Sequence, residues 1–561
     1  MRGPPQQRIE SPDEDRRDRL LEAGAVALAT LIALALRAWH LGDAGIAQFD
    51  EGVYALSGLG LSDPSQPHRL FPGQERFSPP VYISLVALSF LLGGATDRGA
   101  ILVNVILGTL TIPVLWWVAR RWFGPGAGVA AAIMLALNES HVTLSRSALT
   151  DVTFALVFLL AVAGLMWALD EGGTRRAVVA GVLTGLAWNT KYHGWFAGLI
   201  AIGAVVTLLP RDGWNATWQR LRWLLIAAVV ALVLVLPWTL YIGSQPGSVG
   251  GWSNYFSTML RVDWVGNLVT HVQQQQFLEG PWSRSAVPLA ILAVCGIRWR
   301  TFPAFRLLAG VVVATGAVSL ILGEFAVTCA LALAAAAQLW RTGDTASRML
   351  LLWLALWCAA APLYEPYFRL LLPFQMATYV AAGAAVVSLL SRQTDASVHR
   401  APGMLAAGLT CALVAFLARS MPDASDPWSR GDALRRAAGQ LGSHIPPGTA
   451  VTVVGEPALA FYLHQDGHPA FRRPSLEDLR AMRGPAYLVA GVYAIRAPRL
   501  RDALASHGAQ LQPVARIAVD PGDLRLLDDG RARLARAYRS QSASTYDLTL
   551  YFLAEASRDS R

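Results

Sequence analysis

The sequence contains a single lysine, Lys191, beside 46 arginines. An ammonium is a compact point charge and a guanidinium a planar fork, so a chain that uses arginine for every other cation makes that one lysine worth locating. Cysteine is also scarce. Cys295, Cys329, Cys358 and Cys411 all fall inside apolar runs, which argues against a disulfide framework or a zinc site and leaves them as small core residues. Charge is thin as well: Asp, Glu, Lys and Arg make up 15% of the 561 residues, against about 25% in soluble domains. The formal charge of +9 comes from arginines in short loops between apolar runs. There is no basic tail interleaved with aromatics, so nucleic acid is not an expected partner.

What is abundant is apolar sequence: 54% of the residues are hydrophobic and the mean hydropathy is +0.39. Runs of about 20 residues recur along the chain, the length of helix that crosses a bilayer. The first, residues 21–41, is long and followed by many others, so a cleaved signal peptide is not the expected reading. Basic clusters at 13–19, 119–124, 172–177, 210–222, 298–306, 341–348 and 391–400 are expected on the cytoplasmic side. An even number of crossings must then separate each cluster from the next. That condition is met by spans at 21–41, 99–118, 126–140, 151–169, 177–190, 194–209, 222–243, 286–297, 303–322, 325–340, 349–364, 369–390 and 403–419. The expectation is a polytopic α-helical membrane protein with about 13 transmembrane helices. Residues 79–94 are expected to lie as a helix along the outer interface instead of crossing.

The resulting division is a cytoplasmic tail at 1–20, a membrane domain at 21–420 with a first outer loop at 42–98, and an extracytoplasmic domain at 421–561. In the last, "TAVTVVG" and "PAYLVAGV" have the pattern of buried strands, "RGDALRRAAGQL" and "RLRDALASHG" of amphipathic helices, and "YDLTLYFLA" of a final strand. A small α/β domain follows, without a Gly-rich phosphate loop or a triad pattern.

This topology gathers polar groups on the outer face: Asp50 and Glu51, "NESHVTLSRSALTD" (138–151), "NTKYHG" (189–194) and "YEPYFR" (364–369). An acid at the bilayer edge is either a solvated loop residue or a general base. If the loop is extended, Asp50 and Glu51 point to opposite sides, so one faces a reacting centre and the other orients it. Lys191, Arg146 and Arg369 are cations suited to an anionic group, or to snorkelling at the headgroups. Asp151, Glu139 and His141 are the one candidate set for a divalent metal, at a spacing that matches no recognised pattern; no other cofactor is expected. The segment "HVQQQQFLEGPW" (271–282) is either a polar loop helix or an acceptor-sugar contact through its amides and Trp282. A transporter would show intramembrane acids, broken helices and two similar halves; no internal repeat is present. A non-catalytic assembly subunit remains an alternative on these residues alone.

The order of "FDEGVYA" after a first span, "SPPVY", a span closed by "ARRWFG", and "SRSALTD" resembles the lipid-linked-sugar glycosyltransferases of the C fold class, in particular the protein O-mannosyltransferases and the lipid A aminoarabinose transferases. The resemblance covers roughly residues 20–420, with its specific motifs in the first 200. It implies transfer of a sugar from a polyprenyl phosphate to an acceptor protein, lipid or glycan at the outer face of the plasma membrane, with inversion. It places Asp50 on the catalytic acid of the first loop, with Glu51 beside it, and Asp151 on the acid of the second loop. Arg146, Lys191 and Arg369 fall on positions suited to the donor phosphate, with Pro373 in the late "YFRLLLP" segment. Ser78 departs from the family, whose relatives carry a basic residue there; Arg76 is the candidate substitute.

Overall fold

The computed structural model describes residues 12–63, 79–244, 263–297, 305–364, 366–391, 417, 432–468, 476–491, 498–519 and 546–555. Arg76, Ser78 and, apart from Leu417, the expected span at 403–419 lie outside them. The membrane part begins with α1 (Pro12–Ala38), α2 (Phe49–Ser62), α3 (Pro80–Gly93), α4 (Asp97–Phe123), α5 (Pro125–Leu137), α6 (Glu139–Ser145), α7 (Thr150–Glu171), α8 (Thr174–Thr190) and α9 (Phe196–Ser244). It continues with α10 (Trp264–Leu278), α11 (Pro281–Ile297), α12 (Phe305–Leu322), α13 (Glu324–Thr342), α14 (Thr345–Ala360) and α15 (Leu372–Ser391). The boundaries follow local chemistry. Thr96 caps α4 by accepting from the Gly99 amide, two arginines occupy its last turn, and Gly124 ends it at a φ of 91°, each the terminus that helix dipoles and caps favour.

Among the described residues seven helices are long and apolar enough to cross a membrane, eight if the bent pair α5–α6 is one span. Several expectations are corrected. The run 126–140 is broken by a 61° bend between α5 and α6, because Asn138 turns out of the helix and caps the next one through the His141 amide (2.7 Å). The runs 194–209 and 222–243 are, as expected, two helical stretches; they follow one another within α9 across a break at Gly213 (φ 74°), whose backbone is not helical. The run 79–94 forms α3, a helix too short to count among the membrane-length ones, which buries Tyr82, Val86 and Phe90 against α2 and α4 and leaves Leu88, Leu91 and Leu92 exposed. Close helix packing uses small residues: a Cβ at Gly181 would lie 2.5 Å from the Ala227 carbonyl of α9.

Asp50 and Glu51 stand in the first turn of a helix, not in an extended loop. Gln48 and Glu51 form a reciprocal cap at the start of α2, and such a box nucleates a helix where the chain lacks strand alternation.

The C-terminal domain contains α16 (Ala433–Gly442), β1 (Val451–Val454), α17 (Pro457–Gln465), α18 (Leu476–Ala481), β2 (Ala486–Ala490), α19 (Pro498–Ala505), β3 (Leu511–Val519) and β4 (Tyr546–Leu553). Its sheet runs β1-β2-β4-β3, with β1 and β2 parallel and the other pairs antiparallel. The five elements expected from the tail sequence are all present. The domain sits directly on α2. A Cβ at Gly52 would meet the Ala458 backbone nitrogen at 2.1 Å, so only glycine permits this approach. Around it the Tyr462 hydroxyl accepts from the Ile46 amide (2.8 Å) and donates to Asp97 (2.8 Å), Arg435 donates to the Ala44 carbonyl (2.6 Å), and Phe90 stacks on Phe461. The tail and the first loop therefore share one side of the molecule.

Candidate active site

Four of the residues singled out in the sequence converge. Asp50 lies in the first turn of α2, Asp151 in the first turn of α7, Lys191 just beyond the last turn of α8, and Arg369 in a short 3-10 turn, Phe368–Leu371. Each acid of this group occupies a helix N-terminus and the lysine a helix C-terminus, the ends that favour those charges. Arg369 joins the two acids: its Nη2 donates to Asp50 at 2.6 Å and its Nη1 lies 3.6 Å from Asp151. Lys191 pairs with Asp151. Exposure separates the roles, since the Asp50 side chain is 37% exposed and that of Asp151 only 2%. Asp50 is thus the acid that another molecule can reach, and Asp151 is an internal anion that aligns two cations.

Tyr54 lies beneath this group, fully buried; burial, then the charge of Asp50, pushes its phenol above the ordinary value. It stays protonated and so cannot add a third anion to Asp50 and Asp151. Asn104 fixes the approach to Asp151 by donating to the carbonyls of Ser147 (2.7 Å) and Leu149 (2.5 Å).

Beside the charges opens a cavity of about 140 Å³. Lys191 and Arg369 line it together with the aromatic residues Phe154, Trp195, Phe196, Trp357 and Tyr364 and with Pro373. Cations and aromatic rings lining one cavity suit an amphiphile with an anionic head. The sequence reading missed these walls, although "KYHGWF" directly after the lone lysine already carried the signal.

The other candidates go elsewhere. Glu51 is 3% exposed. Its oxygens accept from the amides of Ala47 (2.8 Å), Gln48 (2.9 Å) and Ala148 (2.8 Å), so its carboxylate ties α2 to the loop before α7 and does not face the cavity. Arg146 is fully buried, donates to the Arg37 carbonyl (2.7 Å) and does not line the cavity. Glu139 accepts from the Gly280 amide and His141 Nδ1 accepts from Arg37 Nη2 at 2.7 Å. Asp151, Glu139 and His141 therefore do not converge, and among the described residues no three His, Cys, Asp or Glu side chains form a metal-holding group. The Gln-rich segment forms α10, with its amides on protein carbonyls.

Residues 78–241 match the family model of dolichyl-phosphate-mannose-protein mannosyltransferase. The chain is 29% identical over 184 residues to an undecaprenyl phosphate-alpha-4-amino-4-deoxy-L-arabinose arabinosyl transferase of Pseudomonas paraeruginosa, covering 32% of this chain and 33% of that one. It is 26% identical over 170 residues to the putative mannosyltransferase YycA of Bacillus subtilis, covering 30% and 24%. The matched stretch thus spans a third or less of the length of these relatives. The crystal structure of ArnT from Cupriavidus metallidurans bound to undecaprenyl phosphate superposes with a TM-score of 0.54 at 16% identity, over 95% of this chain and 99% of that one. The oligosaccharyltransferase AglB from Archaeoglobus fulgidus, in complex with an inhibitory peptide and a dolichol-phosphate, gives 0.54 at 12% identity, over 89% and 73%. The chain has the helix number of a polytopic membrane protein and a fold similar to that of these two structures.

Proposed function

We propose that the protein is a glycosyltransferase that moves a sugar from a polyprenyl-phosphate donor to an acceptor hydroxyl, with inversion. The observation that carries this reading is the cluster in which Asp50, Arg369, Asp151 and Lys191 meet, with Arg369 and Lys191 lining an aromatic cavity. The start of the prenyl chain lies against the aromatic cavity, and its phosphate takes Arg369 and Lys191 as counter-charges. Competition for Arg369 releases Asp50, which then accepts the proton of the acceptor hydroxyl. The acceptor oxygen bonds to the anomeric carbon as the carbon–oxygen bond to phosphate breaks, and the electron pair leaves with polyprenyl phosphate. Guanidinium and ammonium stabilise that growing charge. One displacement on the face opposite the leaving group gives inversion. The match to transferases acting on undecaprenyl- and dolichyl-phosphate sugars supports the donor class.

The basic clusters favour an outer-face site, and the contact of the C-terminal domain with α2 supports one side for both. Cysteines at Ser62 and Ser542 should react with an impermeant maleimide in intact cells and Ser397→Cys should not; the reverse pattern inverts the topology. The reaction itself is tested by incubating the purified chain with a polyprenyl-phosphate sugar and an acceptor extract. Release of polyprenyl phosphate with sugar transferred supports the proposal. Lipid bound but left intact points to a transporter or an assembly subunit.

A further inference from the structure

The segment that delivers Arg369 leaves the α-helix for two short 3-10 turns, Ala361–Leu363 and Phe368–Leu371, and such backbone among membrane helices needs partners for its carbonyls. Helix α10 provides them. Asn267 Nδ2 donates to the Pro362 carbonyl (2.8 Å), Gln274 Nε2 to Pro366 (2.8 Å) and Gln275 Nε2 to Phe368 (3.0 Å), while His271 Nε2 lies 3.4 Å from the Ala361 carbonyl. Positions 267, 271, 274 and 275 share one helix face, and the last three are buried. The Gln275 amide oxygen accepts from Gln375 Nε2 (2.7 Å) and Ser140 Oγ (3.0 Å). Those two donors leave only the amide NH₂ to face Phe368. The final carbonyl held in this way belongs to the residue before Arg369.

We propose that Gln274 and Gln275 are positioning residues for Arg369, setting the guanidinium where it meets both Asp50 and a donor phosphate. The proposal rests on the reading of Arg369 as a phosphate holder. A helix that merely satisfied carbonyls would serve stability alone. One that ends a hydrogen bond away from the bridging cation also fixes where that cation can swing. A guanidinium displaced by about 1 Å from a phosphate loses its bidentate geometry.

The test uses the full chain in detergent with undecaprenyl phosphate as the probe, binding being read by titration. Gln274→Met and Gln275→Met keep side-chain length and remove the donor, and each should weaken binding about fivefold, the scale of one net hydrogen bond. In an Arg369→Ala background the same substitutions should have almost no further effect, because coupled residues are not additive. Unchanged binding in both single variants, or an equal loss in both backgrounds, overturns the proposal and leaves α10 a strut. If Gln275→Met does not fold, Gln274→Met carries the same comparison. An Arg369→Ala chain that binds the lipid as tightly as the native one removes the phosphate-holding reading and this proposal with it; an effect of Arg369 without an effect of either glutamine removes the proposal alone.

Discussion

Around Asp151 carboxylates meet cations, whereas around α6, α10 and α13 they meet backbone amides. In the first corner Asp50 and Asp151 share Arg369 and Lys191, and the group opens on a cavity. In the second, Glu139 accepts from the amide of Gly280, and Glu279 from those of Glu324 (2.8 Å) and Phe325 (2.7 Å). Glu279 and Glu139 each cap the start of a following helix, as a carboxylate at a helix N-terminus should. Glu51 belongs with them although it adjoins Asp50 in sequence. The lesson is that an acid's partner, more than its depth or its neighbour in the chain, separates chemistry from architecture. Cations can be handed to an incoming phosphate; backbone amides cannot.

The sharpest test of this division is Asp50→Asn. It keeps size and polarity but cannot take a proton, and loss of a general base costs about 10²–10⁴-fold. Sugar transfer should fall by that order while folding and undecaprenyl-phosphate binding persist; a native rate would reduce Asp50 to a solvated acid. Lys191→Ala should come next, lowering turnover and weakening donor binding about tenfold or more, with Lys191→Arg recovering only part because the planar fork does not reproduce a point charge. Equal donor affinity in the alanine chain would assign the ammonium to pairing with Asp151 alone.

Glu51→Gln should act on the other side of the comparison. One of its two accepting oxygens becomes an NH₂, so at least one of the three amides loses its acceptor and folding should weaken by about 1–3 kcal/mol, while turnover per folded molecule stays near native; kinetic collapse without loss of thermal stability would move Glu51 into the reaction. The smallest effect concerns pH. Burial pushes the Glu279 carboxyl up to about 7, above its value in the unfolded chain. Stability linked to this proton is full below about 4.5 and is lost as pH rises through about 7. The thermal midpoint should therefore decline across that window, and Glu279→Gln should flatten the decline; an unaltered slope would show that another group titrates.

How far the sequence revealed this arrangement depended on whether a signal was local. Apolar length and loop arginines disclosed the membrane class, and strand and helix patterns disclosed the C-terminal domain. The bend at Asn138 was hidden because hydropathy averages across a single capping residue, whereas the break at Gly213 falls in the basic stretch between two expected spans. Asp50, Asp151, Lys191 and Arg369 could be named from their motifs, but their meeting depends on contacts spanning 40 to 319 residues. Glu51 and Arg146 were misplaced for the same reason. Their partners, the Ala148 amide and the Arg37 carbonyl, are main-chain groups that every residue carries, so no side-chain pattern announces them.

The scarcity of lysine gives the site a private chemical handle. Since Lys191 is the only side-chain amine and is 17% exposed beside Asp151, reductive methylation with isotope-labelled formaldehyde should install one side-chain reporter, besides any at the α-amino group. Methylation preserves the charge, so the label leaves the ion pair in place. A membrane protein of this size then yields a spectrum with one site resonance, whose shift follows the arrival of a phosphate directly, with no other lysine to be removed by mutation.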